Sequence, residues 1–112
     1  MRILVIDDEP MICMLLTDYI EELGHQVMGK AYSTVEALRF LSDQEPELAI
    51  LDVNLAGQSS EPVAEACAIK GVPVIIMTGY NGDSLPESLR DYPVLAKPFD
   101  VRALGKMIGT RT

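Results

Sequence analysis

The stretch ILVIDDEP, residues 3–10, places four apolar residues directly before three consecutive acids and a proline. The apolar run contains β-branched residues and predicts a short buried strand. The proline suits the first turn of a helix, where its missing N–H has no consequence. Because two adjacent aspartates repel each other and nothing in the stretch neutralises them, Asp7 and Asp8 require a partner from elsewhere in the chain.

The same order of strand and then helix repeats along the chain. Further apolar runs predict four more strands, at residues 26–33, 47–53, 72–79 and 93–98. Helix-end signals and periodicity predict helices at residues 10–24, 33–44, 60–71 and 99–109. Residues 80–91 are predicted to form a loop with at most a short helix, because Asn81-Gly82 and Pro86 oppose a long one.

Several residues mark how the predicted helices begin and which side they bury. Ser33 is followed three positions later by Glu36, which is a capping box. Ser60, just before Glu61-Pro62, is a candidate cap for a later helix. In the first helix four apolar residues fall roughly on one face, which predicts the buried side: Met11, Leu15, Ile20 and Leu23.

The strands read as continuous apolar runs rather than alternating ones. Such strands are covered on both faces, which indicates a parallel sheet with helices on either side and an α/β fold. The chain has 112 residues, the size of one common domain. Because no linker, repeat or low-complexity segment interrupts it, we expect a single domain over residues 1–112, without an output domain.

Composition narrows the classes of function. The hydrophobic fraction is 48%, yet no apolar run is long enough to cross a bilayer or to act as a signal peptide. We therefore expect a cytoplasmic protein with no membrane partner. The formal net charge of −8 and the scattered basic residues argue against nucleic acid. An acidic domain suits a protein partner or a cation.

The two cysteines and the single histidine do not form a pattern typical of a metal site or a catalytic site. Cys13 and Cys67 lack CxxC spacing and a neighbouring histidine, so we interpret them as buried thiols in a reducing compartment. The only histidine, His25, follows Gly24 and is predicted to be an exposed turn residue. A histidine-based active site would need partners that this chain does not supply.

In four of the five predicted strands, the first, third, fourth and fifth, polar residues follow the apolar run at its carboxyl end. In open α/β sheets, sites form outside the carboxyl ends of the strands. The residues that the pattern brings to this edge are Asp7, Asp8, Asp52, Asn54, Thr78 and Lys97. Three acids, one hydroxyl and one amine would therefore meet at one place.

Such a cluster suits phosphoryl transfer. Three neighbouring carboxylates cannot all stay ionised without a cation, and Mg²⁺ takes oxygen ligands while sharing a phosphate. Lysine and threonine can contact phosphoryl oxygens, and a carboxylate can itself be the nucleophile. Asp52 is the best candidate nucleophile, and Asp7 with Asp8 suits the metal. No glycine-rich phosphate loop occurs, so the phosphate would not arrive in a cradled nucleotide.

Each residue also has an ordinary structural interpretation. Asp7 or Asp8 could cap the first helix, which would not exclude metal binding by the other. Asp52 could be a turn residue, Thr78 an ordinary strand-end hydroxyl and Lys97 a solvated loop lysine. The whole set at one edge is far less expected by chance than any one of them alone.

Four motifs in order carry a family resemblance: DDE at 7–9, LDVNLAG at 51–57, VIIMTG at 74–79 and AKPF at 96–99. By these the chain resembles, over nearly its whole length, the receiver domain of bacterial two-component response regulators. The resemblance implies a flavodoxin-like, doubly wound (βα)₅ sheet of order 2-1-3-4-5. It also implies that the first and fifth helices cover one face, so that Cys13 and Cys67 lie on opposite faces and form no disulfide.

The resemblance assigns roles to the strand-end residues. Asp52 matches the phosphoacceptor, and Thr78 and Lys97 match the hydroxyl and lysine that contact the phosphoryl group. The metal, Mg²⁺ or Mn²⁺, would bind Asp7, Asp8, Asp52 and the backbone carbonyl of Asn54. The Lys97-Pro98 bond would be cis, as it is in the family.

The chain departs from the family pattern in three places. Val94 stands where receivers usually carry an aromatic switch residue, and Ala56 stands where the loop usually has proline. The segment between Thr78 and Lys97 is short, and its Thr-Gly-Tyr start partly resembles a divergent receiver class with a shortened or mobile fourth helix. We expect that Tyr80, or less favourably Tyr92, takes the aromatic role and that residues 81–91 are mobile before phosphorylation.

The function implied is that of a stand-alone signalling phosphoacceptor rather than an enzyme with its own substrate. The donor would be a sensor histidine kinase or a histidine phosphotransfer protein, and the output a protein contact or a phosphate relay. The protein would be a monomer or a weak, phosphorylation-dependent dimer. Two alternatives stay open. An aspartate-nucleophile phosphatase is disfavoured because Asn54 replaces its usual second acid, and a pseudo-receiver would bind partners without being phosphorylated.

Overall fold

The computed structural model describes residues 1–79, 85–97 and 100–109. One parallel sheet is formed by five strands, which are β1 (Arg2–Ile6), β2 (Gln26–Ala31), β3 (Leu48–Asp52), β6 (Val74–Thr78) and β7 (Val94–Ala96). Their spatial order is β2-β1-β3-β6-β7. Counted among these five strands alone, this is the predicted order 2-1-3-4-5, and the predicted α/β fold class is confirmed.

Two further strands form a small antiparallel ladder outside the sheet. They are β4 (Asn54–Leu55) and β5 (Gln58–Ser59). Their connection consists of Ala56 and Gly57, which both have positive φ, 53° and 85°. Two central residues with positive φ are typical of a tight hairpin turn. The residues that follow Asp52 and Val53 therefore form an ordered hairpin.

Helices cover both faces of the sheet. They are α1 (Pro10–Glu22), α2 (Thr34–Asp43), α3 (Glu61–Lys70) and α4 (Val101–Gly109). The buried side chains of α1 and α4 pack on one face, and those of α2 and α3 pack on the other. Cys13 and Cys67 are free, buried and in separate layers, which confirms that they lie apart.

The two layers follow from the alternation of side chains along each strand. In β1, Ile3 and Val5 face the α1–α4 layer, whereas Leu4 and Ile6 face the other layer. All residues of β3 and β6 are buried, as continuous apolar runs predict. Each fully buried leucine or isoleucine contributes about 1.5–3 kcal/mol through removal of apolar surface from water.

The helix-start predictions are confirmed at one position and corrected at another. Ser33 is the N-cap of α2, because its Oγ accepts the N–H of Glu36 at 3.1 Å. Glu36 in turn accepts the N–H of Tyr32 at 2.7 Å. Ser60 occupies the predicted N-cap position of α3, but its side chain makes no capping bond, because its buried hydroxyl donates to the carbonyl of Val53 at 3.0 Å.

The predicted buried face of α1 is partly wrong. The fully buried residues of this helix are Cys13, Leu16 and Ile20. Met11 is 81% exposed and Leu15 is 38% exposed. His25 is half-buried rather than exposed, and its Nδ1 lies 2.9 Å from the amino group of Met1.

The fourth connection is described only from residue 85 onward. Those residues contain one 3₁₀ turn, Glu87–Leu89, whose Leu89 is buried in the α2–α3 layer. This agrees with the expected loop and short helix, and the mobility of residues 81–91 stays a prediction. No helix among the described residues is both long and apolar enough to span a membrane.

Candidate functional site

Three acids meet at the carboxyl edge of the sheet. Strands β1 and β3 are parallel neighbours with Ile6 opposite Leu51, so the residues that follow them emerge side by side. Asp7, Asp8 and Asp52 each present a carboxylate oxygen, and these three atoms lie within 4.8 Å of one another. Asp7 is fully buried, Asp8 is half-buried and Asp52 is 7% exposed.

Lys97 completes the cluster from the far edge of the sheet. Its Nζ lies 2.9 Å from Oδ2 of Asp7 and 3.2 Å from Oδ2 of Asp52. Its backbone N–H donates to the carbonyl of Thr78 at 2.7 Å, which fixes the end of β7 against β6. The amine of Lys97 therefore extends past the end of β6 to contact both Asp52 and Asp7.

Backbone bonds hold Asp7 in place. Its Oδ1 accepts the N–H of Glu9 at 2.9 Å, and its own N–H donates to the carbonyl of Ala31. The Sγ of Cys13 donates to the Asp7 carbonyl at 3.4 Å. The N-cap of α1 is Glu9, so neither Asp7 nor Asp8 caps this helix and the capping alternative is wrong.

Asp52 occupies an environment that disfavours its charge. Burial raises the pKa of its carboxyl, and the neighbouring Asp7 raises it further. Lys97 and the N–H of Asn54, which donates to Oδ1 at 3.3 Å, act in the opposite direction without cancelling that rise. Burial alone would lower the pKa of Lys97, but the two carboxylates raise it, so the amine stays charged.

The donor set fits a hard divalent cation. Three carboxylates and one ammonium leave an excess of two negative charges in a poorly solvated corner. Mg²⁺ and Mn²⁺ prefer carboxylate and carbonyl oxygens, and the three acids present such atoms within 4.8 Å of one another. A contribution from the backbone carbonyl of Asn54 remains a prediction.

Thr78 ends β6 beside this cluster and is 3% exposed. Its Oγ1 donates to the carbonyl of Gly79 at 3.1 Å. A hydroxyl carries one donor hydrogen, so in this conformation that hydrogen is committed to the backbone. Contact with a phosphoryl group would require the hydroxyl to rotate, and this role stays a prediction.

Two predicted features lie outside the described residues, namely Tyr80 as an alternative switch and Pro98 of the cis peptide bond. Val94, at the usual aromatic position, is 38% exposed at the start of β7. Sequence reasoning missed the bond by which Ser88 donates to the carboxylate of Glu61, 27 positions away. The one sequence signal for this bond is the position of Glu61 as the first residue of α3.

The sequence profile of the response regulator receiver domain matches residues 3–109 of the chain. The chain is similar to PdtaR of Mycobacterium tuberculosis, with 30% identity over 107 residues, covering 92% of this chain and 52% of PdtaR. It is 39% identical over 103 residues to PhyR of Methylorubrum extorquens, covering 88% of this chain and 38% of PhyR. The chain thus spans about half or less of these two relatives.

Among solved structures, SdrG of Sphingomonas melonis superposes with a TM-score of 0.88 at 40% identity, covering 98% of this chain and 94% of SdrG. A second SdrG structure, in a BeF3-activated conformation, superposes with a TM-score of 0.85 at the same identity, covering 96% of this chain and 92% of SdrG.

The matched profile covers nearly the whole chain, and the fold and the acidic edge agree with it. The chain belongs to the response regulator receiver domain family. Its class of function is that of a phosphoacceptor domain in two-component signalling.

Proposed function

We propose that Asp52 accepts a phosphoryl group from the phosphohistidine of a sensor histidine kinase or of a histidine phosphotransfer protein. The main support is the placement of Lys97, whose amine lies within 3.2 Å of Asp52 and 2.9 Å of Asp7. Asp52 is the carboxylate of this pair that retains solvent access, whereas Asp7 is fully buried. A donor group can therefore reach Asp52 and cannot reach Asp7.

In the transfer, an oxygen of Asp52 forms a bond to phosphorus while the phosphorus–nitrogen bond of the donor breaks. The electron pair of that bond stays on the imidazole nitrogen. Lys97 balances the charge on the transferred group, and the N–H of Asn54 orients the nucleophile. Mg²⁺ or Mn²⁺, bound by Asp7, Asp8 and Asp52, would supply further neutralisation of the phosphoryl oxygens.

The acyl phosphate would then bias the domain between two conformations that partners distinguish. We infer that the output is a protein contact or onward phosphate relay, because the chain is acidic and lacks a basic stripe for nucleic acid. The domain would promote only transfer to, and hydrolysis from, its own Asp52. We propose that this occurs in the cytoplasm, with the protein a monomer or a weak, phosphorylation-dependent dimer.

Incubation with acetyl phosphate and Mg²⁺ tests this proposal. Intact-protein mass spectrometry should show addition of one phosphoryl group that base or hydroxylamine removes, as expected for an acyl phosphate. Asp52→Asn should abolish the addition, whereas Asp18→Asn, at an exposed position of α1, should not. Transfer from a panel of phosphorylated histidine kinases would then identify the donor.

The same experiment separates the alternatives. No adduct under any of these conditions would favour a pseudo-receiver that binds partners without phosphorylation. Continuous hydrolysis of an added phosphoester, dependent on Asp52, would favour a phosphatase. An adduct that resists base or survives Asp52→Asn would place the modification at another residue and overturn the assignment.

A further inference from the structure

The carboxylate of Glu61 joins two segments that are distant in sequence. Its Oε1 accepts the hydroxyl of Ser59 at 3.1 Å, and its Oε2 accepts the hydroxyl of Ser88. The backbone N–H of Glu61 also donates to Oγ of Ser59 at 3.1 Å. One side chain at the start of α3 thus ties the hairpin β4–β5 to the 3₁₀ turn Glu87–Leu89.

The hairpin end of this connection leads directly to the proposed phosphoacceptor. Ser59 pairs with Asn54 in the β4–β5 ladder, and the N–H of Asn54 donates to Oδ1 of Asp52. Buried Ser60 donates to the carbonyl of Val53, which secures the base of the hairpin. Asp52 is therefore connected to Glu61 through the Asn54 bond, the neighbouring strand pair Asn54 and Ser59, and the bonds of Ser59 to Glu61.

The 3₁₀ turn Glu87–Leu89 is held at two points, and a cavity lies between this turn and α3. Leu89 is buried in the α2–α3 layer, and Ser88 is bound to Glu61. A cavity of about 280 Å³ separates the turn from α3, lined by Glu61, Ala64, Glu65, Ser88, Leu89 and Tyr92. Because Glu65 and Ser88 in its lining are exposed, this space opens to the surface, and the turn can move there without compressing the core.

We propose that Glu61 is a positioning residue that couples the phosphorylation state of Asp52 to the position of residues 85–92. This proposal rests on the proposed function of Asp52. The acyl phosphate carries a charge of about −2 in place of the single charge of the carboxylate, together with three strong acceptor oxygens, and these compete with Oδ1 of Asp52 for the N–H of Asn54. A change in the hairpin moves Ser59, which changes how Glu61 can hold Ser88.

Beryllofluoride with Mg²⁺ tests the coupling, with amide NMR shifts recorded before and after addition. In the wild-type protein we expect shifts in residues 54–60 and in residues 87–92. In Glu61→Gln and in Ser88→Ala, residues 54–60 should still respond, while the response of residues 87–92 falls below half of its wild-type size. Glu65→Gln, an exposed acid beside the same cavity, should respond like the wild type.

The state-dependent difference is the readout, because a purely structural contact would change both states alike. A full response at residues 87–92 in Glu61→Gln or Ser88→Ala, or a wild-type response confined to residues 54–60, would overturn the coupling while leaving phosphoacceptance intact. Absence of any response in the wild type, together with absence of labelling by acetyl phosphate, would overturn the proposed function itself. Ser88 is exposed, so its truncation tests the contact without endangering the core.

Discussion

The Nζ atom of Lys97 lies 3.2 Å from Oδ2 of Asp52, although 45 positions separate the two residues in the chain. The same amine lies 2.9 Å from Oδ2 of the fully buried Asp7. One positive charge therefore faces two carboxylates and cannot neutralise both. Removing a charge from this cluster should change stability in a direction set by the sign of the charge.

Lys97→Met should destabilise the domain, because it leaves two buried carboxylates without a counter-charge. We expect a loss of about 3 kcal/mol in the free energy of unfolding at neutral pH without Mg²⁺. The loss should shrink as pH falls, since protonated carboxyl groups need no counter-charge. Urea denaturation across acidic and neutral pH measures both effects.

Lys106→Met removes a charge of the same sign from an exposed position of α4 and serves as the control. Its effect should stay within about 0.5 kcal/mol. Equal losses in the two variants, or a Lys97 effect that does not depend on pH, would show that the amine contributes through packing rather than through charge.

Asp52→Asn should stabilise the unmodified domain at neutral pH. Burial, and then Asp7, raise the pKa of Asp52, so the folded state holds this proton at a higher pH than the unfolded chain does. Stability is therefore lost as pH rises from the unfolded-state pKa through the folded-state pKa. The neutral variant escapes that loss, so the free energy of unfolding at neutral pH should be higher than in the wild type.

The gain from Asp52→Asn should disappear at low pH, where the carboxyl is neutral in both states. Denaturation curves at several pH values in EDTA provide the measurement, and exposed Asp18→Asn provides the control. An Asp52→Asn variant that is less stable than the wild type at every pH would contradict the assigned electrostatics.

Mg²⁺ should stabilise the folded protein through the three acids. Binding to the folded state alone adds about 2.7 kcal/mol when the free ion is at a hundred times its dissociation constant. Asp8→Asn should raise the Mg²⁺ concentration needed for the same stabilisation more than tenfold. Glu9→Gln removes the adjacent, exposed acid and should change it little. Thermal denaturation at increasing Mg²⁺ concentration measures this stabilisation. Equal weakening in the two variants would indicate general charge screening instead of a specific site.

Much of the fold could be predicted because apolar runs and helix-end residues are local signals. Ser33 with Glu36 predicted the start of α2, and that bond is present. The face of α1 could not be predicted, because residues 11–16 are all apolar and periodicity alone does not choose among them. The sheet beneath the helix selects Cys13 and Leu16 for burial and leaves Met11 exposed.

The site was predictable to the extent that strand ends converge in a parallel sheet. That rule brings Asp7, Asp52 and Lys97 together without any distance information. It gives no account of the hairpin after Asp52 or of the bond between Glu61 and Ser88, because neither depends on a strand end. Contacts between segments far apart in sequence leave only weak local signals, such as the acid at the start of α3.

The hairpin turn at Ala56 and Gly57 makes a prediction about backbone strain. Ala56 has φ of 53°, a conformation that costs a residue with a Cβ about 1–2 kcal/mol. Ala56→Gly relieves this cost but adds freedom to the unfolded chain, worth about 0.4–1 kcal/mol. We expect a net gain of about 0.5 kcal/mol in the free energy of unfolding, measured by urea denaturation.

Ala56→Pro and Gly57→Ala should act in the opposite direction. Proline fixes φ near −65°, so restoring the residue usual in receivers would prevent this turn and should cost at least about 1 kcal/mol. Gly57 has φ of 85°, and a Cβ there should destabilise by about 1 kcal/mol. Stabilisation by Ala56→Pro would show that the loop adopts a different turn in solution.

The buried thiol of Cys67 should be chemically silent in the folded protein. Cys67 is fully buried on α3, and burial raises the pKa of its thiol from 9.0 to about 11. Since the thiolate is the reactive form, an aromatic disulfide reagent at pH 8 should label the unfolded chain rapidly and the folded chain only as fast as it opens.

The raised pKa of Cys67 also makes the stability of the folded protein depend on pH. Its contribution to the free energy of unfolding is complete below pH 9 and is lost as pH rises toward 11. The free energy of unfolding should therefore fall with pH more steeply in the wild type than in Cys67→Ala, which has no thiol to ionise at this position. Fast labelling of the folded Cys13→Ala protein at pH 8, in which Cys67 is the remaining thiol, or parallel pH profiles for the wild type and Cys67→Ala, would contradict a sealed α2–α3 layer.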